Sequence, residues 1–254
     1  MIRRDEKDGW ILISQHDHAE LSGEIMKYWG NKEFGGLDSE VLFAIGEHDN
    51  GWKEWDSSPK VNSVSRYPMN FLEMSSSDQS EIWRRCFKRH SANHPYASAL
   101  IALHFGKLNE KSLNKNSNNG MARALQIEIS DFVSDMLKIN ISNSNLNSLP
   151  KDVQVNLRLV QVADIISLTL CHGWLSIGIE DVPVSYNGST AILNLKSIDG
   201  SNYVMAPYPF SQPLINLQVE GRRLGQKKFS GDAELREMLA ESRREVLHFS
   251  IRRE

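Results

Sequence analysis

The sequence predicts a mainly α protein with a helical body, residues 10–175, followed by a β-rich C-terminal part, residues 180–254. In the first part, apolar residues recur at three- and four-residue steps, as they do on the buried face of a helix. In the second part, alternating or β-branched runs are separated by Asn-Gly and Asp-Gly pairs, which are typical of tight turns between strands. We expect a single domain, residues 1–254, in which the β-rich part packs on the helical body.

Polar, glycine or proline residues mark the ends of the predicted helices. A buried strand or apolar lead-in at 9–14 comes before them. The helices are predicted at 14–29, 38–48 and 77–87, from Pro95 onward, at 121–139 and at 150–175. The asparagine-rich segments 109–120 and 141–150 are predicted to be exposed loops.

The β-rich part is predicted to contain five strands and one charged helix. The strands are expected at 182–188, 189–197, 202–210, 214–224 and 246–253, and the helix at 232–244. The sequence assigns no chemistry to this part, so capping of the helices, shaping of a pocket and dimerisation all stay open as roles.

Composition disfavours several classes of function. A formal charge of −3 provides no broad basic field for duplex nucleic acid. The apolar runs fall short of the roughly 20 residues that a membrane span needs, and the charged N-terminus lacks the apolar stretch of a signal peptide. Cys86 and Cys171 are far apart and form no CxxC pair, so we expect reduced, packed thiols. These observations predict a cytoplasmic protein that does not bind membranes.

One carboxylate lies on the apolar face of the long helix predicted at 150–175. Asp164 falls within a stripe that contains Val153, Leu157, Val160, Leu168, Cys171 and Leu175. A buried carboxylate carries a heavy desolvation cost unless something compensates it. For Asp164 alone, a hydrogen bond to a neighbouring helix or a pairing with Arg is the simpler explanation.

Histidines face inward on the first two helices. His48 shares a face with Leu37, Val41 and Ala44. Asp49 lies about 100° further around the helix and can reach the same point only if the helix ends there, as the following Asn-Gly pair predicts. On the first helix, His18 shares a stripe with Leu21, Ser22, Ile25 and Trp29, whereas His16 lies on the polar side.

Two more histidines flank the helix that begins at Pro95. His94 immediately precedes that proline, and His104 lies on its apolar stripe. Ten residues separate them, which is roughly 15 Å along a straight helix. They cannot both bind one metal ion unless the helix breaks, so they would serve two ions, or one ion and a substrate.

Each of these residues taken singly favours a structural role, but their combination favours a metal centre. His18, His48, Asp49, His104 and Asp164 are predicted to face inward from different helices. A divalent cation would offset the cost of burying them together. Imidazoles with carboxylates suit Mn, Fe, Zn or Ni better than Ca or Mg, and one or two ions are conceivable.

The order His, then His-Asp, then a distant Asp resembles the HD superfamily of metal-dependent phosphohydrolases. His18, His48-Asp49 and Asp164 match that order. The resemblance implies an HD-like helical bundle with its ligands on separate helices. It also implies a second metal ligated by a His of a His-Pro pair, for which His94 is similar, with His104 as another candidate.

A closer resemblance covers nearly the whole chain. The phrases LISQHDHAELSGEI, AIGEHDNGWKEWD, HPYASALIALH, ADIISLTLCHG and APYPF look like the uncharacterised bacterial family called domain of unknown function 3891. There is one departure from the two-metal HD pattern, which often reads HDxGK with a lysine that contacts substrate phosphate. Here Trp52 occupies that place and Lys53 follows it, so the usual phosphate contact is missing.

The resemblance implies hydrolysis of a phosphomonoester or phosphodiester by metal-activated water. Asp49 and His104 would be catalytic, and Asp49 would bridge to a second ion. Trp52, Lys53, Trp55 and Asp56 would line the substrate pocket, while His16 and Glu47 would orient the ligand histidines. The implied partner is a small phosphorylated substrate, with nucleotides included.

Two other functions remain open. The same residues could form a catalytically inactive binding module, with or without bound metal, and the missing lysine favours this alternative. An iron oxygenase on a similar scaffold is the other. A homodimer also stays open, since the sequence does not decide the oligomeric state.

Overall fold

The computed structural model describes residues 1–115, 118–139 and 149–254. The helices are α1 Gln15–Met26, α2 Ser39–Glu47, α3 Lys53–Asp56, α4 Ser76–Lys88, α5 Pro95–Lys115, α6 Gly120–Leu137, α7 Lys151–His172 and α8 Asp232–Glu241. The strands are β1 Ile2–Asp5, β2 Trp10–Ile13, β3 Ser176–Pro183, β4 Thr190–Ser197, β5 Asn202–Ala206, β6 Leu214–Leu224 and β7 Arg244–Arg253. Two 3-10 turns, Asn50–Trp52 and Phe71–Glu73, connect the helices.

The predicted fold class, a mainly α HD-like bundle with a C-terminal β extension, is wrong. The protein is 47% helical and 22% strand, and its seven strands form one curled, mixed sheet that resembles a half-barrel. The strand order is β1-β2-β6-β7-β5-β4-β3, with β5 and β7 parallel. Strands from both ends of the chain therefore build the same sheet.

The N-terminal strands explain the error. β2 pairs with β6 from Trp10↔Leu224 to Leu12↔Arg222, which ties the start of the chain to its C-terminal part. All four residues of β2 are buried, as expected for a strand inside a sheet. β1 has only four residues, and its Arg-Arg-Asp portion gives no alternation that sequence periodicity could detect.

Individual elements were predicted better than the class. The helices predicted at 14–29, 38–48, 77–87, 121–139 and 150–175 correspond to α1, α2, α4, α6 and α7. The loop predicted at 109–120 is wrong in its first half, because α5 continues to Lys115. The loop predicted at 141–150 lies largely outside the described residues. The first C-terminal strand begins at Ser176, before the predicted 182.

The helix α7 runs through the centre of the helical layer. Its length and composition would also suit a membrane span, but most of its surface is buried against other elements. Its C-terminus is capped from the sheet, since Arg4 Nη1 donates to the Leu170 carbonyl at 2.8 Å. A cation at this end complements the helix dipole and fixes α7 relative to β1.

Two glycines let α1 and α2 approach each other closely. A Cβ atom on Gly23 would lie 3.1 Å from Gly46 Cα, so any side chain there would push the helices apart. This contact lies about one turn beyond His18 on α1 and just before His48 at the end of α2. Close packing at the glycines therefore brings the two histidines together.

Candidate metal centre

Four helices bring five polar side chains to one buried place. His18 comes from α1, His104 from α5 and Asp164 from α7, while His48 caps the C-terminus of α2. Asp49 leaves the helical conformation, with φ −107° and ψ 21°, so its side chain turns toward the same point. Of the five, Asp164 is the most exposed, with 17% of its side chain accessible.

The segment after Asp49 is fixed by α4. Gly51 packs so tightly that a Cβ atom would lie 2.4 Å from the Ile82 carbonyl oxygen, and its N–H donates to Cys86 Sγ at 3.2 Å. The glycine is needed for this close approach, and it holds the His48-Asp49 pair at the end of α2.

Four donor atoms surround a small space. His18 Nε2 lies 3.6 Å from Asp49 Oδ2 and 3.3 Å from Asp164 Oδ1. His48 Nε2 lies 3.7 Å and 3.6 Å from the same two oxygens. Ligands about 2.1 Å from one ion lie about 3.4 Å apart in a tetrahedron. The four nitrogen-to-oxygen distances are close to that separation, and the four atoms are named the cage from here on. His18, His48 and Asp49 have ligand atoms within 4.8 Å of one another, whereas Asp164 forms such a group with His48 and His104.

Hydrogen bonds on the far side of each ring direct Nε2 into the cage. His48 Nδ1 lies 2.8 Å from the Ile45 carbonyl, which can only accept, so Nδ1 carries the hydrogen. His18 Nδ1 lies 2.5 Å from Ser167 Oγ, and that hydroxyl donates to the Asp164 carbonyl at 3.1 Å. Ser167 thus accepts from His18. In their neutral forms, both rings present an Nε2 lone pair to the carboxylates.

The buried Nε2 atoms of His18 and His48 have no hydrogen-bond partner among the described residues. Buried polar atoms are rarely left in this state, and those that are need an explanation. A cation between the imidazoles and the carboxylates would satisfy all four donor atoms at once. The residues present therefore fit a divalent transition metal.

The pKa values of the cage residues also indicate that the two carboxylates need positive charge beside them. Burial lowers the pKa of His48, but Asp49 and Asp164 outweigh it and raise that pKa to about 9. The pKa of His18 is also raised, because Asp164 and Asp49 overcome its burial. Burial alone would raise the pKa of Asp164, but His18 and His48 hold it far below its usual value. Either protons or a cation must balance these carboxylates.

His104 lies at the edge of the cage. Its Nε2 is 3.8 Å from Asp164 Oδ2, the oxygen that faces away from His18 and His48. Burial lowers its pKa to about 4, so the ring is neutral near pH 7. His104, His48 and Asp164 form a second group of nearby ligand atoms, but this group shares His48 and Asp164 with the cage. A second ion would have few ligands of its own.

The structure places the other predicted site residues apart from the cage. His94 Nδ1 lies 2.7 Å from Glu40 Oε1, and its ring stacks on Phe43 with centroids 3.8 Å apart. His16 Nε2 is 3.0 Å from Glu20, and Glu47 is 3.4 Å from His90 Nε2.

The four residues predicted to line a substrate pocket differ in their burial and in their contacts. Trp52 is buried, as its role in sealing the core requires. Asp56 is also buried and accepts from the Gln15 N–H at 2.6 Å and from the Met1 amino group at 2.9 Å. Trp55 is partly buried beneath Lys60, whose Nζ lies 4.4 Å from the ring centroid, and Lys53 is exposed.

Sequence reasoning missed three residues that support the cage. Gln15 Nε2 donates to Asp49 Oδ2 at 3.3 Å, and Ser22 Oγ lies 2.7 Å from the Ser167 hydroxyl. The sequence spacing could have indicated the two serines, since Ser22 follows His18 by four residues and Ser167 follows Asp164 by three. Those spacings place each hydroxyl on the same helix face as its ligand.

Comparison with family models gives one match, over residues 1–226, to the family described as protein of unknown function, DUF3891. A search of curated proteins and a search of solved structures found no match. The match confirms the resemblance to the domain of unknown function 3891 family, whereas these comparisons do not support the resemblance to the HD superfamily. The family model covers most of the chain, and the protein belongs to the DUF3891 family.

Proposed function

We propose that this protein is a metal-dependent phosphohydrolase whose cation is held by His18, His48, Asp49 and Asp164. The observation that carries the proposal is the pair of buried Nε2 atoms that face two carboxylates without a hydrogen-bond partner. Mn, Fe, Zn or Ni suits this mixture of imidazoles and carboxylates. A cation of this kind supplies Lewis acidity, which lowers the pKa of water toward 7 and polarises a phosphoryl oxygen.

The protein's own residues would accept the proton of the attacking water and hold the histidine rings in place. His104 Nε2 lies 3.8 Å from Asp164 Oδ2 at the edge of the cage, and this position would let it take the proton that the attacking water loses. Ser167 and the Ile45 carbonyl hold the His18 and His48 rings in place through their Nδ1 atoms. Trp52 is buried and packs edge-on against Phe71, with ring centroids 6.5 Å apart.

The choice of reaction rests on the ligand order. The sequence His, His-Asp, Asp is similar to that of the HD phosphohydrolases. In support, the ligand atoms of His18, His48 and Asp49 lie within 4.8 Å of one another, and Asp164 forms a second such group with His48 and His104. The proposal concerns the chemistry of this ligand set alone, since the surrounding fold is different.

Metal analysis and turnover test the proposal together. We expect purified protein loaded with Mn, Fe, Zn or Ni to retain about one ion per chain after desalting and to hydrolyse a phosphoester panel. Asp164→Asn should lose both properties, because it removes one charge from the cage. His94→Gln is the matched control and should keep both, since His94 contacts Glu40 and Phe43 instead.

Two outcomes would contradict the proposal. Absence of bound metal would leave a metal-free polar network. Stoichiometric metal without turnover of any phosphoester would instead favour the binding module, for which the burial of the cage is the supporting observation.

A further inference from the structure

The cage contains carboxylates but contacts no Lys or Arg. In the described parts of the chain, the ion pairs of Asp49 and Asp164 are all made with histidines. Residues 116–117 and 140–148, which lie outside the described parts, contain neither Lys nor Arg. The charges of the two carboxylates would be cancelled by those of one divalent cation, so the loaded site would be close to electrically neutral.

The basic residues near the cage form ion pairs or hydrogen bonds with groups outside it. Arg85 and Arg89, on the far side of Gly51, pair with Glu81 and Glu54. Arg4 caps α7, and Arg3 pairs with Glu73 at 2.7 Å. Lys53, the residue nearest in sequence to a phosphate-binding lysine, is exposed and forms no ion pair with either cage carboxylate in the described structure.

Beyond Asp164, the same face of α7 continues with an apolar residue and a histidine. Asp164 is followed at four-residue steps by Leu168 and His172, so the three share one stripe of α7, and all are partly exposed. The Phe71 ring lies 6.4 Å from His172, and the Trp174 ring stacks on His172 with centroids 4.8 Å apart. Burial, with smaller contributions from His18 and from the guanidinium groups of Arg3 and Arg4, lowers the pKa of His172 to about 4, so this ring is uncharged near pH 7.

We propose that the site selects phosphoesters with at most one negative charge, that is, phosphodiesters over phosphomonoesters. This inference rests on the proposed phosphohydrolase function. A monoester dianion would bring an excess of negative charge to a buried site whose two carboxylates contact no basic side chain in the described structure, whereas a diester monoanion brings half as much. Leu168, His172 and Phe71 would contact the uncharged ester group.

Hydrolysis of a phosphodiester would stop once the first of its two ester bonds is broken. The oxygen of water forms a bond to phosphorus, and the bond from phosphorus to one ester oxygen breaks, with its electron pair leaving on that oxygen. His104 accepts one proton of the water, and the leaving oxygen gains a proton from solvent or stays ionised. The second proton of the water stays on the new P–OH group, so the immediate product is a monoester monoanion. It loses that proton to solvent, and the charge balance described above disfavours the return of the resulting dianion.

Two esters with one leaving group test the inference. The metal-loaded protein should hydrolyse bis-p-nitrophenyl phosphate with a kcat/KM at least about tenfold above that for p-nitrophenyl phosphate. It should release one nitrophenol per diester. Leu168→Lys should raise the relative activity toward the monoester at least about tenfold, because its ammonium would lie one turn from Asp164.

Ile127→Lys is the matched control for added charge. Ile127 is 56% exposed on α6 and lies outside this stripe, so the ratio of the two activities should not change. Equal or faster hydrolysis of the monoester by wild-type protein would overturn the inference and leave the phosphohydrolase function standing. Hydrolysis of neither ester would overturn both.

Discussion

Two buried carboxylate sites lie side by side in this protein, and only one of them is complete. Asp56 accepts hydrogen bonds of 2.6 Å and 2.9 Å from protein N–H groups, so both of its oxygens are satisfied. In the cage, the distances from imidazole nitrogens to carboxylate oxygens are 3.3 to 3.7 Å, and two nitrogens have no partner among the described residues. Gln15 touches both sites, through its backbone N–H at Asp56 and its side chain at Asp49.

The difference shows how a structural site can be distinguished from a ligand site. At Asp56, burial raises the pKa, and the neighbouring amino group and the Gln15 N–H offset part of that increase. At Asp164, the histidines more than offset burial, and the pKa is lowered. The distances at Asp56 are those of hydrogen bonds, whereas those in the cage are longer and close to the separation of two ligands of one cation.

The largest expected effect is the loss of stability when Asp56 is replaced. Asp56→Ala would leave the Gln15 N–H and the amino group buried without an acceptor, so the free energy of unfolding should fall by about 3–5 kcal/mol. The fall should be the same with and without added metal. Urea unfolding in both conditions measures it, and a loss that depends on metal would break the comparison.

Metal should stabilise the protein through the cage alone. At a free concentration near 1,000 times its dissociation constant, a cation that binds only the folded state adds about 4 kcal/mol. We expect this increase in wild-type protein and its disappearance in His48→Ala, since that change removes one ligand. Asp56→Asn should keep the increase. Thermal melts with and without chelator distinguish the three proteins.

Acidification should destabilise the protein through His172. Its folded pKa of about 4 lies below the unfolded value of 6.5, so the unfolded state binds the proton more readily and stability falls as pH drops from 6.5 toward 4. The loss is at most about 3 kcal/mol, and less after solvent screening of this partly exposed ring. His172→Gln should flatten this part of the stability profile in urea unfolding at pH 7 and 5. Identical profiles for the two proteins would contradict it.

The smallest expected effect comes from removing the hydrogen bond that holds the His18 ring. Ser167→Ala removes the acceptor for His18 Nδ1 and should weaken metal affinity by about 10- to 100-fold. Ser98→Ala is the control, because Ser98 is equally buried but its hydroxyl has no partner among the described residues. Competition with a coloured chelator measures both affinities, and equal affinities would show that the ring needs no such support.

Much of the ligand set could be predicted from helix periodicity. A polar residue on an apolar stripe must face the interior, and this rule selected His18, His48, His104 and Asp164 on four separate helices. It also kept His16 off the internal face. The rule did not apply to His94, which precedes its helix, and the structure places that residue against Glu40 and Phe43.

The support of the cage was harder to predict. Ser22 and Ser167 lie on buried faces where a small side chain has many explanations, and only their contact across α1 and α7, at 2.7 Å, gives them a role. Asp56 was expected to line a substrate pocket, whereas it accepts hydrogen bonds from the Gln15 N–H and the Met1 amino group. Its partner Gln15 N–H is 41 residues away, a distance over which sequence periodicity carries no information.

Helix periodicity predicted most of the helices and the inward orientation of His18, His48, His104 and Asp164, because periodicity is a local property that follows from the geometry of one helix. Only the tertiary structure decided that the two ends of the chain share one curled sheet, since strand pairing joins segments far apart in sequence. It likewise decided that two histidines and two aspartates lie at ligand distances, because close packing at Gly23, Gly46 and Gly51 fixes the spacing between helices.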